Sequence, residues 1–332
     1  MVLSRVFSFD DPSACQAVFP SADVELFPTT RGNFKADVTQ VGINGIWLHR
    51  IHFCLPEIDT VAVRPGRRLI GFLTESNSSS LLSGGLDVLP GDIFVNTSDV
   101  VHQRTDADFH YGTVSLPCDR LDAAADAIIG CEVLQPPGKS IVRPPSALML
   151  RLMNLHKSIA LLAHDTPDIL EIPEVSRALE NELTYVLVRC LGEGRAAELT
   201  PGGRRHDAIL TRFVEFLQAN PDRPLYLTEI CTAIGAAERT LRASCAEHLG
   251  MGPIRYLTLR RMHLVRRALL RSDPHEVTVT QIATDTGFWE LGRFAVAYRM
   301  QFGESPSETL RQPSCEAAIQ PGGISFAAPA HA

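Results

Sequence analysis

The last third of the chain carries one unit twice. "LTEICTAIG" ends at Gly235 and leads into "ERTLRASCAEHLG"; further on, "TVTQIATDTG" ends at Gly287 and leads into "WELGRFAVAYRMQFG". A short apolar helix, a glycine and a second helix make a helix-turn-helix, and its recurrence marks an imperfect internal duplication. The turn calls for glycine because its backbone takes a left-handed conformation. Apolar residues must then lock the two helices: Ile230, Ile234 and Leu241 in the first unit, and Ile282, Phe288, Leu291 and Phe294 in the second. Thr278 and Gln281 have the spacing of a capping box at the start of the second unit. Between the units runs "PIRYLTLRRMHLVRRALLRS", with Leu257, Leu264, Val265, Ala268 and Leu269 on one stripe and its arginines mostly off it.

The second helix of the second unit has an unusual outer face. At about 100° per residue, Leu291, Phe294, Ala295, Tyr298 and Phe302 are expected on one stripe, opposite Trp289, Arg293, Val296 and Met300. A face meant for water would carry a mix of Lys and Glu. In a DNA major groove the composition has a use: an arginine donates to guanine O6 and N7, and a valine lies against a thymine methyl. The matching face of the first unit carries Arg239, Arg242 and Ala243. The candidate DNA contacts are therefore Glu238, Arg239, Arg242, Ala243, Trp289, Glu290, Arg293, Val296 and Ala297. The plainer alternative packs Trp289 against a neighbouring helix and leaves the arginines as surface charge. Arginines of the connecting helix, such as Arg260 and Arg267, are expected at most to touch phosphates.

Charge is distributed to match. The chain has a net charge of -7, yet residues 200–312 hold 15 basic against 12 acidic side chains, while residues 1–199 hold 16 against 25. All the basic residues of the later segment are Arg, whose planar fork suits bidentate contacts better than Lys. The 8 cysteines form no CxxC pair and read as reduced thiols rather than as a disulfide framework or a zinc site. "MVLSRVFSFDD" meets acidic residues early, and no apolar run reaches the length of a membrane span, so a cytoplasmic protein without a membrane partner is expected.

With 332 residues and 45% hydrophobic content, the chain can build several cores. From about residue 34 to 116 it reads as strands. "IWLHRIHF" alternates, with Trp47, His49, Ile51 and Phe53 on one side and Leu48, Arg50 and His52 on the other. Two helices are expected from Ser146 and Pro173, the first with Leu148, Leu152, Leu155, Ile159 and Leu162 along its stripe. "GEGRAAELTPGGRRH" has the composition of a linker. The expected class is α+β and multidomain: residues 1–145 a β domain, 146–192 a helical pair, 193–206 a linker, 207–312 a helical domain with the two helix-turn-helix units and 313–332 a disordered tail. His49 and His52 do not share a strand face, His102 and His110 are isolated, and no nucleophile elbow, phosphate loop or catalytic carboxylate pair stands out. No metal, cofactor or catalytic residue is expected.

Residues 208–312 resemble the DNA-binding region of the AraC/XylS family of bacterial transcription regulators. The likeness rests on Arg239, Thr240 and Leu241, on "HLGMGPIRYLTLRRMHLVRRAL", on Gly287 and Phe288, on Phe294, and above all on "FGESPSETLR". It implies two recognition helices entering successive major grooves, an effector-responsive activator, a homodimer and contact with RNA polymerase. "LPGDIFVNTSDVVHQ" resembles, more weakly, the family's cupin-like sensor domains, which implies that residues 1–145 form a β-barrel sensor domain with flanking helices, of which the pair over 146–192 is the dimerisation element. A cupin-type metal-dependent enzyme fused to a DNA-binding tail is the rival reading. Several residues depart from the family pattern: Ala237 for an N-cap Ser, Cys245 for a core aromatic, Ala243 and Val296 for Arg, and Gly292 for Ser.

Overall fold

The computed structural model describes residues 2–75, 81–96, 100–130, 140–197, 201–220 and 225–312. The tail expected over 313–332 lies outside the described residues. By its contacts the chain forms two compact units, one of residues 1–221 with 225–257, the other of 222–224 with 258–332.

The first unit is built on two antiparallel sheets. One has the order β1 (Val2–Phe9), β3 (Ala36–Ile43), β4 (Ile46–Phe53), β11 (Phe109–Pro117), β6 (Arg67–Leu73), β9 (Ile93–Asn96), β12 (Ser140–Arg143) and β13 (Arg195–Ala197). The other has the order β2 (Ala22–Pro28), β5 (Glu57–Val63), β10 (Val100–Thr105), β7 (Leu81–Ser83) and β8 (Leu86–Val88). Period-two alternation decides what each face does. Ile51 and Phe53 of β4, with Phe109 and Tyr111 of β11, turn inward to meet Leu26, Leu81 and Val88 of the second sheet. Leu48, Val114 and Ile70 turn the other way, beneath α2 (Cys118–Ile129), α3 (Ser146–Asp165) and α5 (Pro173–Glu193). The larger sheet is thus covered on both sides, a double-sheet β domain with flanking helices.

Several expectations change here. Strands β1 and β2 and helices α1 (Pro12–Gln16), α2 and α4 (Pro167–Glu171) lie in stretches that had no strong periodic signal. The α3 stripe is rotated by one position from the expected one. Met149, Leu152, His156, Ile159, Ala160 and Ala163 are buried, while Leu148, Leu155 and Leu162 sit at its margin. His156 belongs in the core because its Nε2 donates to the His49 carbonyl at 3.0 Å and its ring meets the edge of Phe72. Nor is 193–206 a free linker. Residues 195–197 pair with β12, and α6 (Pro201–Gln218) is helical from its proline onward. Burial of Ile209, Leu210, Phe213, Val214 and Leu217 anchors that helix strongly enough to carry two glycines in its first turn.

The first helix-turn-helix, α7 (Leu227–Ile234) and α8 (Glu238–Leu249), falls in this same unit. Ile230, Ile234 and Leu241 are buried between them, as expected. The contact boundary therefore falls after Leu257, within α9 (Pro253–Arg271), and not at the glycine-rich stretch. The second unit takes the rest of α9 with α10 (Val279–Asp285), α11 (Leu291–Phe302) and α12 (Pro306–Leu310). Its core joins Met262, Val265 and Leu269 to Ile282, Ala283, Phe294, Tyr298 and Leu310, with Phe288 and Leu291 at its edge. No helix of the described residues is long and apolar enough to cross a membrane.

Candidate nucleic-acid interface

Each helix-turn-helix turns at a glycine with positive φ: Gly235 at 62° and Gly287 at 86°. Gly235 closes α7 directly, whereas Gly287 follows a closing Thr286. The second unit starts with its expected cap, since the Gln281 amide donates to Thr278 Oγ1 at 3.2 Å. Helix α8 starts without one: Ala237 has extended N-cap geometry but no side-chain acceptor. Cys245, where the family carries an aromatic, is fully buried, and burial pushes its thiol up to about 12.

All nine candidate contacts are exposed: Glu238, Arg239, Arg242 and Ala243 on α8, and Trp289, Glu290, Arg293, Val296 and Ala297 in and before α11. Trp289 is 66% exposed, Val296 63% and Met300 69%, so the alternative that buries Trp289 against a neighbour does not hold. Two details of the helical projection need correction. Helix α11 begins at Leu291, so Trp289 and Glu290 lie in the turn before it and owe their exposure to the turn. Ala295, expected on the core stripe, is exposed; Phe294 and Tyr298 carry that stripe with half-buried Leu291 and Phe302.

Each outward face pairs an arginine with a glutamate one turn before it. Arg242 meets Glu238 at 2.6 Å, and Arg293 meets Glu290 at 2.7 Å. Arg260 does not share this exposure. It is 6% exposed and belongs to the interior of α9, so it is no phosphate ligand. Arg261 and Arg266 lie over the rings of Phe288 and Phe302, and Arg266 also pairs with Glu304, so part of the arginine content of α9 is structural.

The block "FGESPSETLR" closes the second unit. Ser305 caps α12 in a full capping box with Glu308. Tyr298 donates from its buried hydroxyl to Thr309 Oγ1 at 2.9 Å, and Thr309 in turn donates to Glu304 at 2.9 Å. These residues hold the helix that presents Arg293 and Val296.

Between the two sheets of the first unit lies a cavity of about 30 Å³, lined among others by His49, Ile51, Val61, Phe94, Gln103 and Tyr111. Beside it on β5, Glu57 and Asp59 are buried, and Glu57 Oε1 and Oε2 and Asp59 Oδ1 have no hydrogen-bond partner. Burial pushes Asp59 up to about 7, and burial with Asp59 as neighbour pushes Glu57 up as well. Burial, followed by the nearby His156, lowers His49 to about 3. Burial thus disfavours charge on each of these inner groups. Sequence reasoning missed the two acids, although "PEIDTVAV" puts them at inward positions in register with Val61 and Val63.

Two helix-turn-helix units, each exposing arginine with small or apolar residues on its second helix, define the class: a protein built like a DNA-binding regulator. Residues 230–312 match the family model described as "Helix-turn-helix domain". A probable thc operon regulatory protein of Rhodococcus erythropolis is 34% identical over 148 residues, 44% of this chain and 45% of that one. The XylDLEGF operon transcriptional activator of Pseudomonas putida is 29% identical over 154 residues, 46% of this chain and 47% of that one. The solved structure of a probable AraC family transcriptional regulator from Rhodopseudomonas palustris is 32% identical, covers 31% of this chain and 94% of its own, and gives a TM-score of 0.28. The chain spans about half the length of the first two relatives. Over its helix-turn-helix region the chain is similar to transcription regulators of the AraC/XylS kind.

Proposed function

We propose that this protein is a sequence-specific DNA-binding transcription activator that responds to a small-molecule effector. The observation that carries the reading is the joint exposure of Arg239 and Arg242 with Ala243, and of Arg293 with Trp289 and Val296, on the two second helices. Arginine supplies paired donors to guanine, and the apolar neighbours suit thymine methyls. Activation draws support from the name of the Pseudomonas putida relative.

The effector is assigned to the space between the sheets. Its volume holds little more than ordered water, so an effector of ordinary size opens the sheets as it binds. The unpartnered carboxylate oxygens of Glu57 and Asp59 favour a ligand with hydrogen-bond donors or a positive charge. In this division residues 1–145 sense, 146–192 dimerise, 193–206 connect and 207–312 bind DNA. The exposed Leu150 and Leu161 of α3 support the homodimer. RNA polymerase is the expected further partner, and catalysis has no part. Genomic footprinting with the full chain tests the proposal. Protection of discrete sites, altered by a metabolite that also raises the melting temperature, supports it; uniform binding to any DNA overturns it.

A further inference from the structure

We propose that His52, His110 and Asp108 form a binding site for a divalent transition metal of the zinc type, on the outer surface of the larger sheet. Sequence spacing left His110 isolated, but strand register puts it directly across from His52 on neighbouring β4 and β11. The two imidazoles stack at 4.1 Å with their planes 10° apart. Asp108 lies at the end of the connection into β11, and its Oδ1 is 2.9 Å from His52 Nε2 and 3.7 Å from His110 Nε2. One donor atom from each residue lies within 4.8 Å of the others. Ligands on a tetrahedral zinc at bond lengths near 2.0–2.1 Å stand about 3.4 Å apart, so small side-chain rotations complete the geometry.

The surroundings repeat the arrangement found behind metal-bound histidines. Both rings turn Nε2 toward Asp108, and each has a carboxylate behind Nδ1: Asp37 at 3.5 Å from His52 and Glu75 at 3.5 Å from His110. A carboxylate placed to accept a hydrogen bond from Nδ1–H favours the tautomer that leaves Nε2 free to ligate. Arg50 also reaches Glu75, at 3.7 Å. With neutral imidazoles, three carboxylates against one guanidinium leave two negative charges, which a divalent cation balances. Three protein ligands leave room for water or an anion as the fourth. The site faces away from the cavity between the sheets, because His52 shares the strand face of Leu48 rather than that of Ile51.

The test titrates the metal-stripped full chain with zinc chloride by calorimetry and with cobalt chloride by absorbance. One zinc per chain is expected, with a rise in melting temperature. The double variant His52→Gln with His110→Gln should abolish binding. Asp108→Asn should weaken it at least tenfold, and because Asn tolerates the positive φ of 55° at this exposed position, it preserves the fold if the double variant does not. Asp37→Asn and Glu75→Gln should each weaken it by roughly 10- to 100-fold. The cobalt spectrum should lack the intense thiolate charge-transfer band of a cysteine site. Equal zinc binding by the wild type and Asp108→Asn, a thiolate band, or no binding below millimolar zinc would each overturn the proposal and leave the cluster as histidine–carboxylate ion pairs.

Discussion

Glu290 holds Arg293 in an ion pair of 2.7 Å at the mouth of α11, with both side chains largely in solvent. In the proposed DNA complex Arg293 would arrive with a partner already attached. An exposed pair is worth under about 1 kcal/mol, so a guanine can displace Glu290 easily. Glu290→Gln should therefore raise affinity for the cognate site by no more than about fivefold, with a larger gain for unrelated DNA as a phosphate-repelling charge disappears. Binding isotherms on cognate and scrambled duplexes at one salt concentration check this. A tenfold loss on the cognate site alone would mean that Glu290 itself reads a base.

The β domain should lose stability as pH rises. Asp59 sits at about 7 when folded, against about 3.9 in an unfolded chain. A raised carboxyl favours the folded state fully below the unfolded value, and that contribution drains away as pH climbs through the folded one. Between about pH 4 and 7 the loss approaches about 1.4 kcal/mol per pH unit, and Glu57 acts in the same direction. Urea midpoints of wild type and Asp59→Asn should diverge over that range, the variant becoming the more stable by pH 8. Parallel midpoints would refute the assignment.

The missing N-cap of α8 offers a gain. Ala237 already has extended geometry, φ -66° and ψ 145°, so Ala237→Ser can accept a first-turn amide without moving the backbone. About 1 kcal/mol of added stability is expected, read as a higher melting temperature, with base preference unchanged.

Gly85 tests how α8 is seated on the β domain. Its φ is 81°, and an added Cβ would come 2.3 Å from the His248 ring. Gly85→Ala should cost about 1–3 kcal/mol and expose residues 201–257 to protease. Unaltered proteolysis of that segment would show that the turn does not support α8.

Both helix-turn-helix units were legible because their signals are local: a glycine turn, two apolar faces, and a cap at Thr278. The alternation of β4 was equally plain. What stayed hidden depends on register between distant segments. His52 and His110 are remote in sequence and meet only because β4 pairs with β11. His156 falls off the expected leucine stripe of α3, and only the hydrogen bond its Nε2 donates to the His49 carbonyl explains its burial. Arg260 reads as surface charge in an arginine-rich helix, yet it is buried. Arg260→Ala should lower the melting temperature rather than tune DNA affinity. The stretch 193–206 reads as a linker by composition, but β12 and the apolar face of α6 draw most of it into regular structure.

The central claim is that the exposed arginines of α8 and α11 read bases. The direct measurement is the binding of Arg293→Ala to operators carrying every single base-pair substitution, at several salt concentrations, with Arg239→Ala in parallel. If Arg293 contacts a guanine, its loss weakens the cognate operator and removes roughly 1–3 kcal/mol of discrimination at one base pair, leaving preference elsewhere intact. If the variant instead binds all sequences more weakly by one common factor and only flattens the salt dependence, Arg293 is a phosphate clamp and the account of this face is wrong.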